Sequence, residues 1–108
     1  METAVAGHPT LVITGDDGSR RVVELSGRDL RIGRSSENDV VLPDAAKGVS
    51  RTHAELRADG NHFVIVDLQS QNGTWIDGER VHEARVAPGA EIAIGTYRLR
   101  VEVPAPIP

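Results

Sequence analysis

Cysteine is absent from the 108 residues of this sequence. Neither a disulfide framework nor a thiolate metal centre is therefore available to the chain. The absence is in keeping with a reducing, cytoplasmic setting. Aromatic residues number three, Phe63, Trp75 and Tyr97. So few ring faces leave little on which to stack bases, which argues against a nucleic-acid role. No apolar run approaches the roughly 20 residues needed to span a bilayer. The start, Met1–Pro9, lacks the basic and apolar regions of a signal peptide. The net charge of -4 argues against general attraction to nucleic acid or membrane surfaces. Lysine is nearly missing too, with Lys47 alone beside eleven arginines. Arginine offers the bidentate forks that suit oxyanions, which lysine does not.

A helical pattern is also lacking, since no window carries an apolar stripe over three turns. Apolar residues come instead in short runs. They predict strands near Leu11–Thr14, Arg21–Leu25, Leu30–Ile32, Val40–Leu42, Ala54–Arg57, Phe63–Asp67, Thr74–Ile76, Glu91–Ile94 and Tyr97–Val103. Val40, Val41, Val64 and Val66 read as core. Turn signals separate the runs, and Asp77-Gly78 is the sharpest, because both residues tolerate positive φ. Many short strands at regular spacing predict an all-β sandwich or barrel in one domain. Residues 1–9 carry no strand pattern, so residues 10–103 are expected to form the domain. Pro104-Ala105-Pro106-Ile107-Pro108 cannot continue a ladder, since proline lacks the N–H. It reads equally as a frayed end or as the start of a stiff linker to a longer chain.

The usual signatures of catalysis do not appear. There is no Gly-x-Ser-x-Gly elbow and no Gly-x-x-x-x-Gly-Lys loop. His8, His53, His62 and His82 have no metal-ligand spacing. A binding protein without catalysis, cofactor or metal is expected.

Three loop segments carry polar groups beyond what a connector needs. Gly33-Arg34 follows a strand. Ser50-Arg51-Thr52-His53 precedes another with a hydroxyl, a guanidinium and an imidazole. Ser70-Gln71-Asn72-Gly73-Thr74 offers an amide followed by a glycine turn. Residues 28–57 hold six basic and five acidic side chains, so no basic cluster is visible in one dimension. A positive site would have to be assembled by folding.

Taken together, Gly33-Arg34, Ser50-x-x-His53 and Asn72-Gly73-Thr74-x-x-x-Gly78 resemble the signature of the forkhead-associated (FHA) domain in order and spacing. The resemblance runs from about Leu11 to Val103. It implies an eleven-stranded β-sandwich whose loops at one end bind a phosphothreonine peptide in Ser/Thr-kinase signalling. It further implies that Arg34 and Ser50 hold the phosphate, that Arg51 assists, and that Asn72 bonds the peptide main chain. Gln71 would line the phosphothreonine pocket, where family members commonly carry threonine or serine. Gly33 and Gly73 would supply backbone freedom, and His53 would brace the loop from inside. Such chemistry is physically apt, since a phosphothreonine brings about -1.5 to -2 charges and three acceptor oxygens. Lys47 is a candidate for attracting an acidic peptide residue three positions after the phosphothreonine. The expected partner is a phosphorylated protein bound by a monomer. The alternative is an FHA-like module that docks its partner, or another part of its own chain, without phosphate.

Overall fold

The computed structural model describes residues 8–43, 48–60 and 62–104. The expectations for residues 1–7, for Lys47 and for residues 105–108 fall outside them.

Eleven strands and no helix are formed among the described residues. In chain order they are β1 (Thr10–Thr14), β2 (Arg20–Glu24), β3 (Leu30–Gly33), β4 (Val40–Val41), β5 (Ala54–Asp59) and β6 (His62–Asp67). They continue as β7 (Thr74–Ile76), β8 (Glu79–Val81), β9 (Glu83–Val86), β10 (Ile92–Ile94) and β11 (Tyr97–Glu102). One sheet has the order β2-β1-β11-β10-β7-β8, the other β4-β3-β5-β6-β9. All the described pairings are antiparallel except β3 with β4.

Period-2 alternation sets the inner faces. Leu11 and Ile13 of β1, Leu99 and Val101 of β11, and Ile92 and Ile94 of β10 point from one sheet into the core. Leu30, Ile32, Ala54, Leu56 and Ile65 meet them from the other. Burying such side chains is the main favourable term, about 1.5–3 kcal/mol for each fully buried aliphatic.

Two expectations need correction. Val64 and Val66 are not core: both are half-buried and outside the apolar cluster. Ile65 is fully buried and Phe63 packs on the cluster, so β6 shows the opposite parity to its core. An uninterrupted Phe-Val-Ile-Val run does not reveal its own parity. Val41 is likewise half-buried, while Val40 is buried as expected. The second correction is that β8 and β9, unseen in the apolar pattern, are real strands. They lie at the sheet edges, where Glu79, Arg80, Glu83 and Arg85 are exposed. Charge on an edge is how sheets avoid further pairing, and it hides the strand from a hydrophobicity reading.

The Asp77-Gly78 turn joins β7 to β8 with φ of 49° and 88° at the two residues, as a primed hairpin turn requires. Its Asp77 also ties β7 to the chain before β10, since Oδ1 accepts from the Glu91 N–H at 3.1 Å.

Candidate functional site

The segments after β3, before β5 and before β7 meet at one end of the sandwich, joined by main-chain bonds. The Arg34 N–H donates to the Ser50 carbonyl at 3.0 Å, and Ser35 N–H to the Arg51 carbonyl at 3.1 Å. Gly33 makes this approach possible. A Cβ there would stand 2.3 Å from the Arg51 carbonyl oxygen, which is backbone and cannot swing away. Asn38 completes the joint: its side-chain N–H groups reach the carbonyls of Ser35 at 2.8 Å and Arg51 at 2.7 Å. It is buried, and in this role it was not foreseen. An asparagine at a strand entry is a common turn residue, so its type alone carried no signal.

His53 holds the second and third segments together. Its ring is fully buried. Nδ1 lies 3.0 Å from the Ser50 amide nitrogen, and Nε2 lies 2.8 Å from the Gly73 carbonyl oxygen. A backbone N–H can only donate, so Nδ1 must accept and Nε2 must carry the proton. The ring is a neutral strut between two loops.

Ser50 is the hinge of the arrangement. Its Oγ accepts from the Gln71 N–H at 3.0 Å, which leaves its own proton to donate outward. Arg34 is exposed, with Nε donating to the Val49 carbonyl at 3.1 Å. That contact fixes the stem and leaves both terminal nitrogens unpartnered among the described residues. Asn72 spans the gap between loops, with Nδ2 donating to the Gly48 carbonyl at 3.3 Å. The side chains of Arg51 and Gln71 are exposed beside them. Fold and motif thus bring Arg34, Ser50, Gln71 and Asn72 to one surface, with Arg51 on the same loop as Ser50.

The β6–β7 loop has its own support. Asp67 accepts from Ser70 N–H at 3.1 Å, from the Ser70 hydroxyl, and from the Thr74 hydroxyl at 2.7 Å. Burial pushes the Asp67 carboxyl up, but the hydroxyl and amide donors outweigh it and hold it below the ordinary 3.8. Ser70 Oγ in turn accepts from Gly73 N–H at 3.0 Å. Neither Asp67 nor Ser70 was assigned a role from the sequence. An Asp three residues before a Ser after an apolar run was the available sign. Gly73 has φ of 89°, and a Cβ there would stand 2.6 Å from Arg80 Nε. Arg80 therefore lies against the back of this loop. Trp75 reaches it too, its indole donating to the Asn72 carbonyl at 3.1 Å.

Comparison with known proteins identifies the family. The FHA domain family profile matches residues 30–95. The glycogen accumulation regulator GarA of Mycolicibacterium smegmatis is 45% identical over 67 residues, 62% of this chain and 41% of GarA. The oxoglutarate dehydrogenase inhibitor of Corynebacterium glutamicum is 35% identical over 98 residues, 91% of this chain and 67% of that protein. The chain spans about two fifths of the length of the GarA proteins it matches. The FhaA FHA domain, solved with the intracellular domain of Rv3910, superposes with a TM-score of 0.75. It is 37% identical, and the match covers 85% of this chain and 99% of that one. Another FHA domain, solved in work on phosphothreonine-dependent FHA interactions, gives a TM-score of 0.76 at 36% identity over 87% and 96% of the two chains. By its family profile and its relatives, this chain belongs to the FHA domain family.

Proposed function

We propose that the loop end of this sandwich binds a phosphothreonine of a partner protein, as a non-catalytic module of Ser/Thr-kinase signalling. One observation carries the reading. Arg34 presents two guanidinium nitrogens that are unpartnered among the described residues beside Ser50, whose hydroxyl accepts from the Gln71 N–H and keeps its own proton to donate. A fork and a hydroxyl side by side are a charge-assisted cradle for a phosphate dianion. Arg51 adds positive charge to the same rim. Asn72 keeps its amide oxygen for the peptide main chain, and Gln71 would face the threonine side chain.

The reading is of a binder. Ser50 and His53 resemble a nucleophile and base in spacing alone. The His53 ring bonds the Ser50 amide through Nδ1 and the Gly73 carbonyl through Nε2. A base turned to backbone groups does not activate a nucleophile. Among the described residues no helix is long and apolar enough to cross a membrane.

A phosphothreonine peptide is compared with its unmodified and glutamate-substituted forms by calorimetry. Tight binding of the phosphorylated form alone is expected. Equal binding of all three forms would replace this reading with phosphate-independent docking.

A further inference from the structure

The outer face of the six-stranded sheet carries a row of residues that the proposed site does not use. Register places one residue from every strand on it. Arg80 of β8 lies opposite Trp75 of β7, and Trp75 opposite Ala93 of β10. Ala93 lies opposite Arg98 of β11, Arg98 opposite Thr14 of β1, and Thr14 opposite Arg20 of β2. Directly opposed residues share a face, and these alternate with the inward Ile13, Leu99 and Ile92. Arg20, Arg80 and Arg98 are exposed and Trp75 is 37% exposed, while Ala93 and Thr14 are half-buried. The row is thus three guanidinium groups and an indole on a floor of small side chains.

Its charge is only partly neutralised locally. Arg20 and Arg80 have no ion-pair partner among the described residues, and Arg98 shares its charge with Glu91 at 3.8 Å. The same face turns acidic at its other end, where Glu24 and Glu102 flank Thr10. The basic row lies at the loop end. It also begins at the proposed site, since Trp75 bonds the Asn72 carbonyl and Arg80 backs Gly73.

We propose that this row is a second contact surface, which takes an acidic segment of the same polypeptide that presents the phosphothreonine. The identity of that polypeptide rests on the phosphothreonine reading; the anionic character of the surface does not. Five inter-strand steps of about 4.8 Å make the row roughly 24 Å long, the span of about seven extended residues. The chain's net charge of -4 gives it no general attraction for polyanions, so the basic row acts at short range. A peptide leaving Asn72 would cross the arginines in sequence, with Trp75 offering apolar contact between them.

The test uses the full chain and three peptides: a short phosphothreonine peptide, the same peptide extended by seven residues rich in Asp and Glu on either flank, and the acidic extension unphosphorylated. Each is titrated into wild type and into the exposed-surface double variant Arg20→Gln, Arg98→Gln at low and high salt. Extension on one flank should tighten binding by about fivefold at low salt, the size expected of a few exposed pairs. The gain should vanish in the double variant, whose affinity for the short peptide stays at the wild-type level. Weak binding of the acidic peptide by wild type but not by the variant would support the row even if the short phosphopeptide failed to bind. No gain from either extension, a gain that survives in the variant, or row-dependent binding to anionic vesicles or DNA without gain from the peptides would overturn the proposal.

Discussion

His53 Nε2 stands 2.8 Å from the carbonyl oxygen of Gly73, twenty residues further along the chain. That bond, with the Ser50 amide on the opposite nitrogen, joins the proposed phosphate-binding segment to the proposed main-chain-binding segment. Replacing the ring leaves the buried Gly73 carbonyl and the part-buried Ser50 amide without these partners, and an unpaired buried group costs about 1–3 kcal/mol. His53→Ala should therefore melt at a visibly lower temperature and bind peptide more weakly. A variant that melts like wild type yet fails to bind would make His53 a direct ligand.

Gly33 and Gly73 should respond differently to alanine. At Gly33 the added Cβ meets the Arg51 carbonyl, a main-chain atom of the Ser50 loop. At Gly73 it meets the flexible Arg80 side chain, and the remaining cost is the positive φ. Gly73→Ala should lose about 1–2 kcal/mol, the cost of an alanine held in the left-handed region. Gly33→Ala should lose more, and with it the loop geometry and peptide binding. Denaturant unfolding of the two variants measures the difference. Adding Arg80→Ala should recover part of the loss at Gly73 and none at Gly33.

Asp67 gives the fold an acid limit. Its folded-state carboxyl lies below the ordinary 3.8, because Ser70 and Thr74 donors outweigh the opposing effect of burial. A depressed carboxyl contributes stability that is present above 3.8 and is lost as pH falls through the folded value. Unfolding free energy measured from pH 6 downward should decline below pH 4 more steeply in wild type than in Asp67→Asn. Identical slopes would mean that the Ser70 and Thr74 contacts do not favour the ionised form.

Gln71 is where this chain departs from the commoner residues of its family. A glutamine offers an amide but no β-methyl for the threonine methyl to meet. Wild type should therefore discriminate little between phosphothreonine and phosphoserine peptides, and Gln71→Thr should widen the ratio several-fold. A wild-type ratio already large, and unchanged in the variant, would place the discriminating contact elsewhere.

What the sequence disclosed follows from where each signal lives. The Arg34, Ser50 and Asn72 segments were legible because side-chain types and spacing mark them together. The Asp77-Gly78 hairpin was legible because positive φ restricts residue choice. β8 and β9 were not, since exposed edge strands need charge and carry little apolar contrast. The parity of β6 was hidden because Phe63 through Val66 are all apolar. Asn38 acts by donating to the Arg51 carbonyl thirteen residues on, a partner that one-dimensional spacing does not report, and Asp67 acts by accepting from the nearby hydroxyls of Ser70 and Thr74, which are common loop residues. The basic outer row is the clearest case. Arg20, Arg80 and Arg98 are scattered along the chain and share a face only through six-strand register.

The central claim is that Arg34 and Ser50 form a phosphate cradle on a fold that does not need their side chains. The most direct measurement is calorimetric titration of a phosphothreonine peptide, selected from a library on the wild type, into Arg34→Ala. The variant should keep the wild-type melting temperature and lose about 2–5 kcal/mol of binding, as truncating one partner of a charge-assisted pair does. Near-wild-type affinity in a folded Arg34→Ala chain would contradict the account.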